Sequence, residues 1–441
     1  MTGSRGDYDL GHGSRRIRVT HYDLDLRYRV GSNRLEGRAR LDVRVERRTR
    51  RIRLDLAGLE VQRVRVRGAD LRSVRHSGDR LVLGLAAPAR KGTTLRVRIR
   101  YAGHPRPLAT RWGPVGWDEL ADGVIVASQP TGAATWFPCD DRPGAKATFR
   151  TRVRVGNAYR VLAHGRLTHR RVGRDTTRWT YVEDHPSAPY LATVQIGRYA
   201  AVAIADGKVP QSALAPPGQA AATRRRLAAQ PAMMAAFIEM FGPYPFDGYT
   251  VVFTPEPLEL PVEAQGIAIF GANHLADRAA ERLVAHELAH QWFGNSVSVA
   301  SWQHIWLNEG FACYAEWLWS QASGGPSAAT LARRWHARLS ALPQDLVLAD
   351  PGPAHLFDDR IYKRGALALH ALRVTLGDRV WASLVRSWTR THRHQCVTTA
   401  DFREHVRRHA RSARGQRLAD RADGVLGPWL ERPALPRLPR S

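Results

Sequence analysis

"HELAHQWFGN", residues 286–295, sets two histidines four apart with a glutamate directly after the first. On a helix, positions i and i+4 share one face a turn apart, so His286 and His290 can converge on a single ion. Glu287, displaced by one residue, can then reach a water beside that ion without ligating it, which is the H-E-x-x-H arrangement. A catalytic zinc takes three protein ligands and keeps a further position for water. The next acidic residue along the chain is Glu309, with eighteen residues between it and His290. It stands near the start of "WLNEGFACYAEWLWSQA" (306–322), a second segment with helical period. The plainer reading is an amphipathic helix that happens to carry two histidines, followed by a glutamate placed where a helix dipole favours a carboxylate. Both elements occurring together select the metal reading, and with it a mainly helical domain built around one ion.

Upstream the period changes. From about residue 17 to 203 the chain alternates apolar residues with arginine, as in "ARLDVRVERRTRRIRLDL" (39–56), "VQRVRVRG" (61–68) and "TLRVRIRYAG" (94–103), with turn signals between. This predicts an N-terminal β-sandwich-like domain. "KVPQSALAPPGQAAA" (208–222) interrupts the alternation with proline, alanine and glycine and reads as a linker, so the expected domains are 1–207 and 208–441. In the second, a helix is expected over 223–242, short strands at "YTVVFTP" and "GIAIFG", and a long helix over 276–294 that carries the histidines.

Composition bounds the function. The formal charge is +27, yet only Lys91, Lys146, Lys208 and Lys363 among the 67 basic residues are lysine, and the arginines are spread along the chain rather than gathered into a run. That fits a codon-biased, solvated basic surface, so no specific nucleic-acid partner is expected. Cys139, Cys313 and Cys396 lie far apart with no C-x-x-C pair, which argues against a disulfide framework or a thiolate zinc cluster. The N-terminus shows no apolar leader segment and no stretch approaches 18 apolar residues, so a cytoplasmic protein without a membrane partner is expected.

"VAHELAHQWFGNSVSV" followed by "WLNEGFACYAEW" resembles the gluzincin aminopeptidases of peptidase family M1, whose ligands are H-E-x-x-H and a glutamate further on. "SQPTGAATWFPCDDRPGAKATF" (128–149) is similar to the family's N-terminal-domain signature, and "IYKRGALALHALRVTLGD" (361–378) to its Tyr-x-x-Gly-Ala segment. The resemblance implies a multidomain β plus α/β protein in which the β-sandwich-like domain precedes a thermolysin-like, mainly α-helical catalytic domain with a small sheet. It also implies one zinc ion per chain on His286, His290 and Glu309, with Glu287 as general base. Tyr362 would donate to the oxyanion, and peptides with a free N-terminus would be the substrates. For the substrate ammonium the family uses a G-x-M-E-N motif. Here "LPVEAQG" (260–266) departs from it: Glu263 occupies the glutamate slot without the flanking Gly, Met and Asn, with Glu256 and Glu259 as rivals. Gln129 resembles a family residue lining the same amine pocket, and "GIAIFG" is expected to supply an edge strand for the peptide. The chain reads as a short form without the large helical C-terminal domain of many relatives. The alternatives are a zinc endopeptidase, an epoxide-hydrolase-like member of the family, or a non-catalytic basic polyanion-binding protein that retains a zinc site. Nothing in the sequence specifies an oligomeric state.

Overall fold

The structure is a computed structural model describing residues 8–439; the first seven residues of the stretch read as lacking a leader lie outside it. Contacts divide the chain into two compact units. One comprises Asp9–Thr223 with Phe246–Asn273, the other Arg224–Pro245 with the chain from His274 onward.

The first unit is β-rich because the period-two alternation places one side of each strand inward. Its seven-stranded sheet runs in the order Arg166–Val172, Thr176–Ser187, Ala147–Gly156, Ile17–Arg29, Arg34–Val45, Thr94–Gly103, Leu59–Arg67. Within Arg34–Val45, Ala39, Leu41 and Val43 are buried while Arg38, Arg40 and Arg44 face water. A five-stranded sheet (Arg160–Ala163, Val194–Gly197, Gly123–Ala127, Gly113–Leu120, Leu108–Thr110) and a three-stranded one (Thr49–Asp55, Arg80–Ala89, Leu71–Ser77) contribute to the same apolar core. Trp117, Trp136, Phe137 and Phe149 lie within that core.

A further five-stranded sheet corrects two expectations. It runs Ala200–Ala205, Gln211–Ala215, Tyr249–Thr254, Ile267–Gly271, Val262–Ala264. The supposed linker therefore contains a strand, Gln211–Ala215, paired on both sides. Pro210, Pro216 and Pro217 bracket that strand rather than interrupt it, so every residue between them keeps the N–H that a ladder needs. "GIAIFG" is not an edge. Ile267–Gly271 is flanked on both sides, and the edge is Val262–Ala264, which carries Glu263.

Nine α-helices occur among the described residues: α1 Ala220–Arg226, α2 Gln230–Phe241, α3 Glu281–Ala289, α4 Trp306–Ala322, α5 Ala328–Ser340, α6 Asp359–Leu376, α7 Asp378–Thr391, α8 Thr399–Arg414 and α9 Gln416–Glu431. The helix expected over 223–242 is broken into α1 and α2 because Pro231 fits only a first turn, where its missing N–H has no partner to lose. The long helix over 276–294 shortens to α3. After His290 the chain is held by backbone bonds from Asn295, Ser296 and Val297 to the carbonyls five residues earlier, and Gly294 takes φ +120.

Helices α4 and α6 meet through two glycines. A Cβ on Gly310 would lie 2.9 Å from Gly365 Cα, and one on Gly365 would lie 2.8 Å from Gly310 Cα. Both contacts are with backbone, so neither side can yield by a rotamer change. Gly365→Ala is expected to destabilise the protein by about 1–3 kcal/mol through overpacking. Gly424→Ala, at an exposed site in α9 where a Cβ meets nothing within 4 Å, should be neutral or stabilising. Thermal or denaturant melts of the two variants check this; equal midpoints would refute the close-contact account.

Candidate metal centre

Three side chains from α3 and α4 converge in the helical unit. His290 caps the C-terminus of α3 with helical φ/ψ, so it keeps the i+4 relation to His286 although the helix ends there. Glu309 sits in the first turn of α4. Its Oε2 lies 3.5 Å from His286 Nε2 and 3.4 Å from His290 Nε2, and all three residues are buried. Ligands at zinc bond lengths of roughly 2.0–2.2 Å in a tetrahedron stand about 3.3–3.5 Å from one another. The donor spacing therefore fits a zinc ion.

The outward nitrogens fix the tautomers. His286 Nδ1 lies 2.8 Å from Glu316 Oε1, and His290 Nδ1 lies 3.0 Å from the Phe293 carbonyl. Each ring donates through Nδ1 and turns Nε2 towards Glu309, where Nε2 can ligate an ion in place of a proton, the arrangement that orients imidazole ligands in metal sites. Glu316 itself is held by Arg282 Nη1 at 3.3 Å. It was not among the expected site residues, though a signal existed: it stands seven residues, two turns, beyond Glu309 on one face of α4. The Phe293 carbonyl left no trace in the side-chain sequence. It is available to His290 because α3 stops where it does.

The electrostatics favour a cation. Glu287, Glu309 and Glu316 are all buried beside two imidazoles. Burial would lower His286, but hydrogen bonds to Glu309 and Glu316 outweigh it and hold the ring well above its ordinary range. Burial raises Glu287, opposed by His286 and His290. For Glu309 the burial effect is overcome, chiefly by His290 and His286, and its carboxyl stays low. Glu287 Oε2 is buried and has no hydrogen-bond partner among the described residues. A buried lone pair in that condition costs about 1–3 kcal/mol unless water or a reactant meets it.

Tyr362, in the first turn of α6, stacks 6.1 Å from the His286 ring with a 21° interplanar angle, so it joins the same cluster. Gln129 and Glu263 come together in the β unit, where Gln129 Nε2 donates to Glu263 Oε1 at 2.7 Å. The structure also separates Glu263 from its rivals. Glu263 is 5% exposed, whereas Glu259 is exposed and Glu256 accepts from the Ala121 N–H at 2.7 Å. Cys139, Cys313 and Cys396 are all free thiols. No helix among the described residues is long and apolar enough to cross a membrane.

Comparison with known proteins gives the same picture. A family profile described as Peptidase family M1 domain matches residues 226–421, and one described as Peptidase M1 N-terminal domain matches residues 18–191. The crystal structure of a point variant of the M1 zinc metallopeptidase from Deinococcus radiodurans superposes with a TM-score of 0.84 at 31% identity, covering 98% of each chain. A second structure of such a variant, bound to a Tyr-Ser-Ala substrate, aligns at 31% identity over 97% of each chain with a TM-score of 0.82. The leucyl aminopeptidase of Saccharolobus solfataricus is 24% identical over 82% of this chain and 48% of its own length, so the present chain spans about half of that curated relative. Two profiles matched in order, together with near-complete alignment to a solved member at 31% identity, establish that this chain belongs to peptidase family M1, a family of zinc peptidases.

Proposed function

We propose that the protein is a zinc-dependent aminopeptidase that removes residues from the free N-terminus of peptides. The observation that carries this reading is the buried carboxylate of Glu287, whose Oε2 has no hydrogen-bond partner among the described residues, beside three residues spaced to ligate one zinc. A purely structural zinc site has no use for such a group.

His286, His290 and Glu309 would hold the ion. Zinc bound there supplies a Lewis acid that acidifies a water and polarises the scissile carbonyl. Glu287 takes a proton from the attacking water and returns it to the departing amine, a role its raised affinity for protons suits. Tyr362 donates its hydroxyl hydrogen to the oxyanion as the carbonyl carbon becomes tetrahedral. Glu316 keeps the His286 ring oriented through Nδ1. Glu263, steadied by Gln129, receives the substrate α-ammonium, which restricts cleavage to the first residue. The peptide-bound Deinococcus radiodurans relative supports short peptides as the substrate class. The free cysteines accord with the reducing cytoplasm as its location. We divide the chain functionally into a β domain over residues 1–207 and a catalytic domain over 208–441.

Two experiments test the assignment. On aminoacyl and short-peptide substrates, Glu287→Gln should lower kcat by at least about a hundredfold, and Glu263→Ala should chiefly raise KM for free-amine substrates. N-acetylated substrates should not turn over; cleavage of acetylated and internal bonds at equal rates would make the enzyme an endopeptidase and remove the role given to Glu263. Separately, Glu316→Ala should weaken zinc affinity by about 10–100-fold in a chelator competition. Unchanged affinity would show that Glu316 does not orient the ligand.

A further inference from the structure

The arginines that are scattered along the chain are gathered by strand pairing. In the seven-stranded sheet, Arg34–Val45, Thr94–Gly103 and Leu59–Arg67 lie side by side, and their register sets Arg38 opposite Arg100 and Arg100 opposite Arg63. The next rows are Arg40, Arg98, Arg65 and then Asp42, Arg96, Arg67. Register partners share a face, and every arginine of this grid is exposed. Eight of nine positions are thus cationic.

Two arginines of the grid are neutralised, one on its inner strand and one on its middle strand. Arg40 pairs with Asp23 at 3.7 Å and Arg96 with Asp42 at 3.5 Å. Arg38, Arg63, Arg65, Arg67, Arg98 and Arg100 have no ion-pair partner among the described residues. Like charges directly opposite on neighbouring strands oppose sheet formation, so the fold gains nothing from this pattern. Guarding a sheet edge against aggregation would account for arginines on the outermost strand, Leu59–Arg67, but not for rows that continue two strands inward.

We propose that this face binds the phosphodiester backbone of a nucleic acid, without reading its sequence. Alternate residues on a strand are about 6.6–6.8 Å apart and neighbouring strands about 4.8 Å. A lattice of that mesh offers guanidinium groups to successive phosphates of a strand laid across it, and guanidinium suits phosphate through its forked donors. Two features favour this polymer over an anionic membrane. None of the exposed large apolar residues, Val74, Leu167, Val172, Leu260 or Leu342, lies on the three strands, so nothing there would insert among lipid tails. The unpaired cations also form rows rather than a ring around an apolar patch.

The test uses the zinc-loaded enzyme and fluorescence anisotropy with a 20-nucleotide single strand and a 20-base-pair duplex. Neutralising six phosphates predicts a fall in affinity between 50 and 200 mM salt of about 300-fold on the single strand and about 2,000-fold on the duplex. The edge variant Arg63→Gln/Arg65→Gln/Arg67→Gln should weaken binding at least tenfold and reduce the salt slope by about 2, at about 0.7 for each phosphate left without its arginine on a single strand. Arg98→Gln/Arg100→Gln should act in the same direction. Both variants should keep wild-type peptidase rates and melt no lower than the parent. As a control of equal charge, Arg407→Gln/Arg411→Gln/Arg414→Gln on α8 should change affinity less than twofold. Absence of binding at 50 mM salt, or an equal weakening in the α8 control, would overturn the proposal. So would partition onto vesicles of phosphatidylglycerol with phosphatidylcholine without oligonucleotide binding, which would assign the face to a membrane.

Discussion

The helical unit is organised around three buried carboxylates that share a cluster with two imidazoles. Glu287, Glu309 and Glu316 are each less than a tenth exposed; Glu316 is answered by His286, by the buried Lys363 and by Arg282, half of which remains in water. Removing carboxylates from water carries a penalty of several kcal/mol each, and partial neutralisation leaves much of it unmet. Two imidazoles answer it in a specific way. One gives its Nδ1 hydrogen to Glu316 and the other to the Phe293 carbonyl, and both turn Nε2 inward, where it can ligate a cation in place of a proton. A divalent ion at the shared focus completes the balance, and its binding energy is then also folding energy for the elements that supply the ligands.

That requirement explains local features that would otherwise look irregular. Helix α3 stops after nine residues, and the turn that follows leaves the Phe293 carbonyl free to accept from His290 instead of continuing a helical ladder. Gly294 takes a backbone conformation that side chains rarely adopt, and a Cβ there would meet His290 Nδ1 at 3.2 Å. Glu309 is one residue from Gly310, and Tyr362 is three from Gly365. The glycine contact between α4 and α6 therefore sets how far the proposed oxyanion donor stands from a ligand. A larger residue at either glycine would move chemistry and packing together.

The parts legible in the sequence were those with a period or a motif. Alternation located the β unit, helical spacing located α4 to the residue, and the histidine spacing with Glu309 picked out three residues that the fold brings together. What escaped was set by tertiary context. Gln211–Ala215 looks like a linker because its proline neighbours dominate the composition, yet its strand character comes from partners on both sides that are distant in sequence. The order of Val262–Ala264 and Ile267–Gly271 in their sheet cannot be read from two short apolar runs, since either could take the edge. Likewise the arginines gave no run to notice: register between strands separated by dozens of residues is what aligns them.

The departure around Glu263 shows which property of the proposed ammonium site is free to vary. The strand that carries it is held by backbone pairing, Val262 with Ile269, Glu263 with Ala268 and Ala264 with Ile267. The carboxylate is held by Gln129, which comes from a distant part of the chain. Neither restraint uses the side chains of Val262 or Ala264, so the residues that differ from the family's G-x-M-E-N pattern are not the ones that aim the carboxylate. An ammonium asks only for charge and a hydrogen-bond acceptor at a set position, and those persist. The side chain of the residue to be removed instead meets whatever shape the flanking positions leave. Under the proposed function, replacing a methionine and an asparagine by smaller or apolar groups would therefore alter selectivity among N-terminal residues more than the demand for a free N-terminus.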